Sequence, residues 1–289
     1  MRDSNLPPDR ERKEADIMSE EEREYLLGTN EAELARLGFQ HRVWAEVTFA
    51  HWERAGFAPG RTLLDLGCGP GFATLDLAAL VGREGKVIAA DASARFIDYL
   101  QARCRELGLG HVEPRVTDAA ELDLPPSSLD GAYARWLFCF VSDPEPVVAR
   151  VAAALKPGGT MAVMDYFNYP ALTLAPRSAA MDRVLQAVQE SWRASGGDLD
   201  IMLRLPSLMA AHGLDLVDVR PVLRTARPGS ALWNWPATFF GYYVPILVER
   251  GFLQPDEAAA FRREWRERES DPSAFFCTPP MLCVVARRR

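Results

Sequence analysis

The feature of this sequence that most constrains its fold is an apolar run that leads straight into a glycine-rich turn. Residues 62–66 are mostly apolar, Gly67, Gly69 and Gly71 follow at alternate positions, and an apolar pattern resumes at Phe72. Glycine allows the backbone to adopt conformations, and to approach a ligand, in ways that other residues resist. The pattern predicts a strand, a tight turn and a helix, with main-chain groups of the turn facing a bound molecule.

The same order of strand, turn and helix is repeated along most of the chain. Apolar runs rich in β-formers alternate with segments whose apolar residues recur at helical spacing. This alternation is typical of a mostly parallel sheet with helices on both faces. We therefore expect an α/β fold with a doubly wound, seven-stranded, mostly parallel sheet. The seven strands are predicted at 62–66, 86–91, 111–117, 131–137, 160–166, 214–223 and 281–286.

Changes in the pattern divide the chain into five parts. The first is polar and charged, which predicts a flexible arm, and the second contains a helix start at Asn30 and an amphipathic helix from Gln40 to Arg54. After Tyr166 the alternation stops, which indicates insertions. The parts are a flexible arm (1–20), N-terminal cap helices (21–58), a cofactor-binding core (59–170), a helical insertion (171–212) and the last strands (213–289), which enclose a lid insertion at about 227–275.

The spacing of the glycines distinguishes between two kinds of nucleotide site. Dinucleotide sites carry GxGxxG and place a pyrophosphate at the start of a helix. Here the spacing is GxGxG, and Asp65 stands two residues before the first glycine. A carboxylate there would repel a pyrophosphate but suits a ligand that bears an ammonium group. The pattern therefore argues against a nicotinamide oxidoreductase.

The run DLGCGPG, from Asp65 to Gly71, resembles the first motif of the class I S-adenosylmethionine-dependent methyltransferases. The resemblance extends from Phe57 to Tyr166 and is similar to the branch that includes quinone and natural-product methyltransferases. It implies a Rossmann-like methyltransferase fold and S-adenosylmethionine as cofactor, with S-adenosylhomocysteine as product. Four further segments carry it: Asp91 at the end of the second strand, 117–119 after the third, 129–135 in the fourth and 155–160 before the fifth.

The resemblance also implies where the cofactor lies. It places Gly67, Gly69 and Gly71 near the methionine part, Asp91 at the ribose and Asp118 at the adenine. We expect further cofactor contacts from the neighbours of these positions, namely Asp65, Cys68, Ala92, Ala119 and Arg135.

Three of these residues also have a purely structural interpretation. Asp91 could cap the following helix, and a capping aspartate could bind ribose as well. Asp118 could lie in a surface turn. Arg135 could be a solvated strand end, or could meet the cofactor carboxylate or the substrate.

Methyl transfer is an in-line displacement in which the protein supplies alignment and, for some acceptors, a general base. We select His41 and Tyr166 as catalytic residues; a structural role for each remains open, and many such enzymes act by proximity alone. The full set of candidate bases is His41, His51, Asp165, Tyr166, Tyr169 and His212.

Aromatic residues crowd the lid insertion. Aromatic walls suit a flat or apolar acceptor. The same rings could instead pack the lid onto the core or form the face of a homodimer. They are Trp233, Trp235, Phe239, Phe240, Tyr242 and Tyr243.

The overall composition argues against several classes of partner. The net charge is −7, which disfavours binding to a phosphate backbone. The five cysteines are scattered without a CxxC pair, and the histidines lack metal-ligand spacing, so we expect neither a disulfide framework nor a metal site. The start lacks an apolar core and no segment has the length of a membrane span, so we expect a cytoplasmic protein without stable membrane insertion.

The sequence thus predicts an enzyme that moves a methyl group to an O, N or C atom of a small, aromatic or apolar acceptor. No Asn-Pro-Pro-Tyr stretch follows the fourth strand, where 135–138 read Arg-Trp-Leu-Phe; this departs from methyltransferases that modify the amino groups of bases or glutamine. Two alternatives remain at this point: non-methylating chemistry at the same cofactor site, and a non-catalytic sensor of S-adenosylmethionine.

Overall fold

The structure is a computed structural model that describes residues 30–289. The predicted arm (1–20) and the first part of the predicted cap helices lie outside the described residues. In chain order the strands are β1 Thr62–Leu66, β2 Lys86–Asp91, β3 Val112–Val116, β4 Leu129–Arg135, β5 Leu155–Tyr166, β6 Thr173–Ala175, β7 Leu214–Val222, β8 Thr225–Ala226, β9 Phe275–Cys277 and β10 Met281–Arg288. The α-helices are α1 Glu31–Ala55, α2 Phe72–Val81, α3 Ala94–Leu107, α4 Pro144–Ala154, α5 Ala179–Ala194, α6 Leu205–Ala211, α7 Ala231–Glu249 and α8 Pro255–Glu269.

Seven strands form one sheet in the order β3-β2-β1-β4-β5-β10-β7. Strand β10 runs antiparallel to both of its neighbours, and the other neighbouring pairs are parallel. Leu63, Leu64 and Leu66 of β1 are almost wholly buried, as expected for a strand covered by helices on both faces. The predicted fold class is confirmed.

The position of β1 determines where a ligand can bind. Strand β1 pairs with β2 on one side and with β4 on the other, so the chain order reverses at this strand. In open α/β sheets, ligands bind beyond the carboxyl ends of the strands at such a switch point. The glycine-rich turn that follows β1 therefore lies at the expected position.

Helix α1 is longer than the sequence pattern indicated. Asn30 caps it as predicted, because its side chain accepts a hydrogen bond from the N–H of Glu33 at 3.0 Å. Instead of two helical segments, one helix of 25 residues continues to Gly56, whose φ of 74° ends it. Gly38 does not interrupt the helix but lets it approach α2, since a Cβ there would lie 2.9 Å from the ring of Phe72.

A small second sheet is absent from the sequence predictions. Strands β6, β9 and β8 form it in that order, and both pairs are antiparallel. Each strand has three residues or fewer, so none shows a periodic pattern. The sheet joins the helical insertion to the two ends of the lid insertion.

The lid insertion contains α7 and α8. Helix α7 packs on α1 and α5, and it holds Pro236 and Pro245 within its length. Helix α8 packs on α5 and α7. Helices α1 and α7 thus meet above the carboxyl ends of the central strands, although they come from opposite ends of the chain. Among residues 30–289, none of the helices has the length and apolar character needed to span a membrane.

Candidate functional site

The glycine-rich turn is fixed to the end of β2 by main-chain hydrogen bonds. The N–H groups of Gly67 and Cys68 both donate to the carbonyl of Ala90, at 2.8 and 3.1 Å. Gly67 and Gly69 have φ values of 68° and 53°, in the region that favours glycine. A Cβ on Gly67 would lie 2.8 Å from Leu137, whereas one on Gly69 would meet nothing within 4 Å. The turn therefore presents open backbone at Gly69.

Asp91 connects β2 to this turn. One carboxylate oxygen accepts from the N–H of Gly69 at 2.8 Å, and the other accepts from the N–H of Ser93 at 2.9 Å. Burial raises the pKa of Asp91, and these two hydrogen bonds oppose that effect. Ser93, not Asp91, caps α3, because its hydroxyl accepts from the N–H of Phe96. Asp91 is thus held in one orientation at the carboxyl end of the sheet.

Asp65 lies beneath the turn and is almost completely buried. Its carboxylate accepts a hydrogen bond of 2.6 Å from the hydroxyl of Thr74 on α2. Burial raises the pKa of Asp65 to about 6, while Thr74 and the positive charge of Arg135 lower it. The site therefore carries negative charge near neutral pH, as a ligand with an ammonium group requires.

The segment after β3 forms the outer rim. Asp118 is exposed, and its carboxylate caps the short 3-10 helix Ala119–Glu121 by accepting from the N–H of Ala120 at 2.7 Å. Asp118 and Ala119 both line the same cavity as Asp91 and Ala92. The capping role and a ligand contact are compatible at Asp118, because one bond leaves further acceptor positions on the carboxylate.

Arg135 connects the end of β4 to helix α1. Its guanidinium donates to the hydroxyl of Thr48 at 2.8 Å and to Nδ1 of His41 at 3.1 Å. Because a guanidinium can only donate, Nδ1 of His41 must accept, and the proton on Nε2 is then directed at Asp76, 2.8 Å away. Arg135 lines the cavity, whereas His41 lies behind it in the gap between α1 and α2.

The glycine-rich turn, Asp65, Asp91, Asp118 and Arg135 all line a single cavity of about 1310 Å³. Ten of the twelve predicted site residues line it, and Gly71 and His41 do not. Gly71 has a packing role, since a Cβ there would lie 2.3 Å from Leu100 of α3. The ten that line the cavity are Asp65, Gly67, Cys68, Gly69, Asp91, Ala92, Asp118, Ala119, Arg135 and Tyr166.

Away from the glycine-rich turn, much of the cavity wall is aromatic. We call this part the acceptor chamber. Of the aromatic residues predicted in the lid, Trp235, Phe239 and Phe240 line the cavity. Trp233 packs against Trp265 of α8 and is almost completely buried, so this ring packs within the lid insertion and does not line the cavity. The aromatic residues that line the acceptor chamber are Trp136, Phe140, Tyr166, Tyr169, Trp192, Trp235, Phe239, Phe240 and Phe276.

Trp136 directly follows β4 and lines the acceptor chamber. Its φ is 50°, which is uncommon for a bulky residue and places strain in the backbone at the end of β4. Its ring stacks on Trp235 at 6.2 Å and on Tyr166 at 6.3 Å, and the edge of Trp44 packs against it at 5.7 Å. Its Nε1 donates to the sulfur of Met281. These contacts hold the indole in place despite the strain.

Four of the six candidate bases do not line the cavity: His41, described above, and His51, Asp165 and His212. His51 is buried against Tyr133, and burial lowers its pKa to about 4, so the imidazole is neutral. Asp165 is completely buried and accepts hydrogen bonds from the N–H groups of Cys139 and Tyr166. His212 pairs with Glu145 on α4, away from the cavity.

Two candidates do line the cavity, Tyr166 and Tyr169. Burial raises the pKa of both phenols above the ordinary value of 10. Both are therefore neutral hydrogen-bond donors near pH 7 and are poorly suited to remove a proton. The chamber can position an acceptor, and a catalytic role for Tyr166 or His41 stays a prediction.

A polar cluster on α1, formed by Glu33, Arg36 and Gln40, is absent from the sequence predictions. Glu33 and Arg36 form a buried pair with two bonds of 2.6 Å, and Arg36 also donates to Gln40 at 3.0 Å. Burial raises the pKa of Glu33, while Arg36 lowers it. Arg36 and Gln40 line the cavity. The spacing of three and four residues on one helix was the available signal.

No cluster of three or more metal-ligating side chains occurs within residues 30–289.

Comparison with known proteins agrees with this geometry. A family model described as a methyltransferase domain matches residues 63–159. The ubiquinone/menaquinone biosynthesis C-methyltransferase UbiE of Teredinibacter turnerae is 32% identical over 127 residues, which are 44% of this chain and 50% of that protein. This chain spans about a third to about half of the length of the curated relatives that it matches.

Solved structures share the fold over a larger part of the chain. The geranyl diphosphate C-methyltransferase of Streptomyces coelicolor has a TM-score of 0.56 and 18% identity, and the match covers 86% of this chain and 82% of that one. The cyclase SpnF has a TM-score of 0.55 and 21% identity, covering 84% and 80%. The same fold thus carries more than one reaction, so function has to be argued from the site.

Proposed function

We propose that this chain, whose residues 63–159 match a methyltransferase domain, transfers the methyl group of S-adenosylmethionine to an O, N or C atom of a small acceptor. The acceptor is aromatic or apolar. When bound, the cofactor supplies a methyl group on a positively charged sulfur. The residues of this chain bind the two reactants, align them and exclude water.

One observation carries this proposal: the glycine-rich turn and the acceptor chamber belong to the same cavity. Its volume of about 1310 Å³ exceeds the range of about 300–1,000 Å³ that is usual for a single small ligand. Such a cavity has room for a nucleoside cofactor and for an acceptor placed end to end with it.

The residues around the turn fit the cofactor. Each oxygen of Asp91 accepts one main-chain N–H and keeps a second lone pair, so the carboxylate can still accept from the two hydroxyls of a ribose. The open backbone at Gly69 leaves room for a ligand. Asp65 provides the negative charge for an ammonium group. Asp118 and Ala119 on the rim are available to an adenine ring.

The acceptor chamber supports an aromatic or apolar acceptor bound chiefly by packing. Flat rings bury much area at little conformational cost and stack against aromatic side chains. Tyr166 and Tyr169 remain protonated, so we propose that they donate hydrogen bonds and that alignment supplies most of the rate enhancement. The UbiE relatives, whose names refer to C-methylation in quinone biosynthesis, support an acceptor of this kind.

The proposal also covers the cellular location of the protein, its partners and its oligomeric state. We place it in the cytoplasm, acting on a small molecule without a nucleic-acid partner. The lid face offers a surface for a homodimer, and the molecular mass in solution tests this directly.

Calorimetry and a methyl-transfer assay test the proposed function together. We expect S-adenosylmethionine and S-adenosylhomocysteine to bind with a stoichiometry of one, and NADH not to bind. Labelled methyl groups should then appear on at least one member of a panel of phenols, quinols and amines. Cofactor binding without transfer to any of them would favour a sensor or a non-methylating enzyme, and absence of cofactor binding would refute the proposal.

A further inference from the structure

The amide of Gln40 is the polar group of the acceptor chamber whose orientation is best determined. Its Oε1 receives two hydrogen bonds, from Arg36 at 3.0 Å and from Nε1 of Trp235 at 2.9 Å. A guanidinium and an indole N–H can only donate, so the atom that they share must be the amide oxygen. This fixes which end of the amide carries the N–H groups and ties α1 to α7 at the same time.

The opposite end of this amide is left as a donor. Gln40 is half-buried and lines the cavity. Within residues 30–289, Nε2 of Gln40 makes no hydrogen bond to the protein. Besides the hydroxyls of Tyr166 and Tyr169, the aromatic chamber thus presents a fixed pair of N–H groups. Donors placed in this way recognise an oxygen of a ligand and disfavour a cationic nitrogen, which brings only further donors.

The charges near Gln40 indicate whether the ligand oxygen is neutral or negatively charged. Arg36 is positive, but Glu33 is completely buried and binds its guanidinium through both carboxylate oxygens. The pair is therefore close to neutral. A full negative charge on the ligand would meet little net attraction, so the donors suit a neutral oxygen such as a carbonyl or a hydroxyl.

We propose that Gln40 is a specificity-determining residue whose amide donates a hydrogen bond to a neutral oxygen on the acceptor. The inference rests on the proposed function and narrows its acceptor class. The acceptor is a flat, apolar ring system that carries a carbonyl or hydroxyl oxygen, and it is not an amine. The aromatic rings hold the ring system, and Gln40 sets its orientation relative to the turn.

Two bicyclic probes of similar shape test the proposal, 1-tetralone with a carbonyl oxygen and 1-aminotetralin with an ammonium group. Binding is measured by calorimetry to protein loaded with S-adenosylhomocysteine. We expect 1-tetralone to bind at least about fivefold more tightly, the ratio that corresponds to one neutral hydrogen bond. A cationic preference would indicate an aromatic cage for amines and would overturn the proposal, as would failure of both probes to bind.

The variant Gln40→Glu removes the donors and adds a negative charge at the same position. Its carboxylate can still accept from Arg36 and Trp235, so the link between α1 and α7 is retained. We expect the preference for 1-tetralone to disappear or to reverse, with the affinity for S-adenosylhomocysteine and the thermal midpoint close to those of the wild type. Gln101→Glu, on α3 and outside the cavity, introduces the same charge and should keep the preference.

The outcomes distinguish this proposal from the general one. Binding of S-adenosylhomocysteine with an unchanged probe preference in Gln40→Glu refutes the role of Gln40 and leaves the methyltransferase proposal intact. Failure of S-adenosylhomocysteine to bind the wild type refutes both.

Discussion

The side chain of Asp91 has a structural role and a proposed role in ligand binding. It orients the glycine-rich turn through the N–H of Gly69 and the start of α3 through the N–H of Ser93. Asp91 also lines the cavity, and its carboxylate keeps further acceptor positions for the ribose hydroxyls that the proposal places there. Substitution of such a residue should therefore weaken ligand binding more than it weakens the fold.

We expect Asp91→Ala to weaken binding of S-adenosylhomocysteine by at least about tenfold, or about 1.4 kcal/mol, because the hydroxyl contacts and the fixed turn are both lost. Calorimetry measures the change. Asp123→Ala, an exposed aspartate outside the cavity, is the matched control and should bind normally. Equal affinity in Asp91→Ala and the wild type would contradict the assignment of Asp91.

We expect Asp65 to make the affinity for the cofactor depend on pH. Its pKa is raised to about 6 by burial, so the carboxylate gains its charge between pH 5 and 7.5. The ammonium group of the cofactor is attracted only to the charged form. The loss of affinity in Asp65→Asn should therefore be larger at pH 7.5 than at pH 5, by up to about tenfold. A loss that is the same at both pH values would show that Asp65 does not meet the ammonium group.

At the scale of elements, the turn between β1 and α2 serves both binding and packing. Gly69 opens to the cavity, whereas Gly71 is covered by Leu100 of α3. The spacing of glycines in the sequence gave no sign of this difference, because each of them has a positive φ. The distinction depends on α3, which packs on the turn from a later part of the chain.

Two alanine substitutions should separate these roles. Both Gly69→Ala and Gly71→Ala strain the backbone by about 1 kcal/mol or more, because φ is positive at each position. Gly71→Ala also overpacks the contact with Leu100 and should lose about 1–3 kcal/mol more of unfolding free energy. Gly69→Ala should instead show the greater loss of affinity for S-adenosylhomocysteine. Denaturant unfolding and calorimetry measure the two effects, and the reverse pattern would contradict the packing described.

At the scale of the whole molecule, buried carboxyl groups make the stability depend on pH. Asp165 is completely buried at the end of β5, and burial raises its pKa from 3.8 to about 7. Between these values the folded state binds the proton more tightly than the unfolded state does. The unfolding free energy therefore falls as the pH rises from about 4 to about 7.

The variant Asp165→Asn removes this titration. We expect it to cost more stability at pH 5, where the wild-type carboxyl is neutral, than at pH 8, where the wild type carries a buried charge. The difference should be on the order of 1–3 kcal/mol. Denaturant unfolding at the two pH values measures it, with Asp123→Asn as the exposed control. An equal cost at both pH values would show that Asp165 has an ordinary pKa.

Most strands of the seven-stranded sheet could be predicted from the sequence because they are apolar runs bounded by turn signals. The alternation with helices indicated the others, such as β3, which reads Val-Glu-Pro-Arg-Val. The glycine-rich turn and Asp91 could be predicted for the same reason, since they are adjacent to such runs. The acceptor chamber could not. It forms where α1 meets α7, about 200 residues later in the chain. The orientation of the Gln40 amide depends on a hydrogen bond from Trp235, and no local sequence pattern connects these two residues. The two- and three-residue strands of the small sheet also carry no local signal.

The most direct test of the account is a crystal structure of the protein with S-adenosylhomocysteine. The account predicts that the homocysteine part lies at Gly67 and Gly69, that the ribose hydroxyls bind Asp91, and that the sulfur faces the acceptor chamber past Trp136. A nucleoside bound elsewhere, or a sulfur that faces away from the chamber, would contradict it.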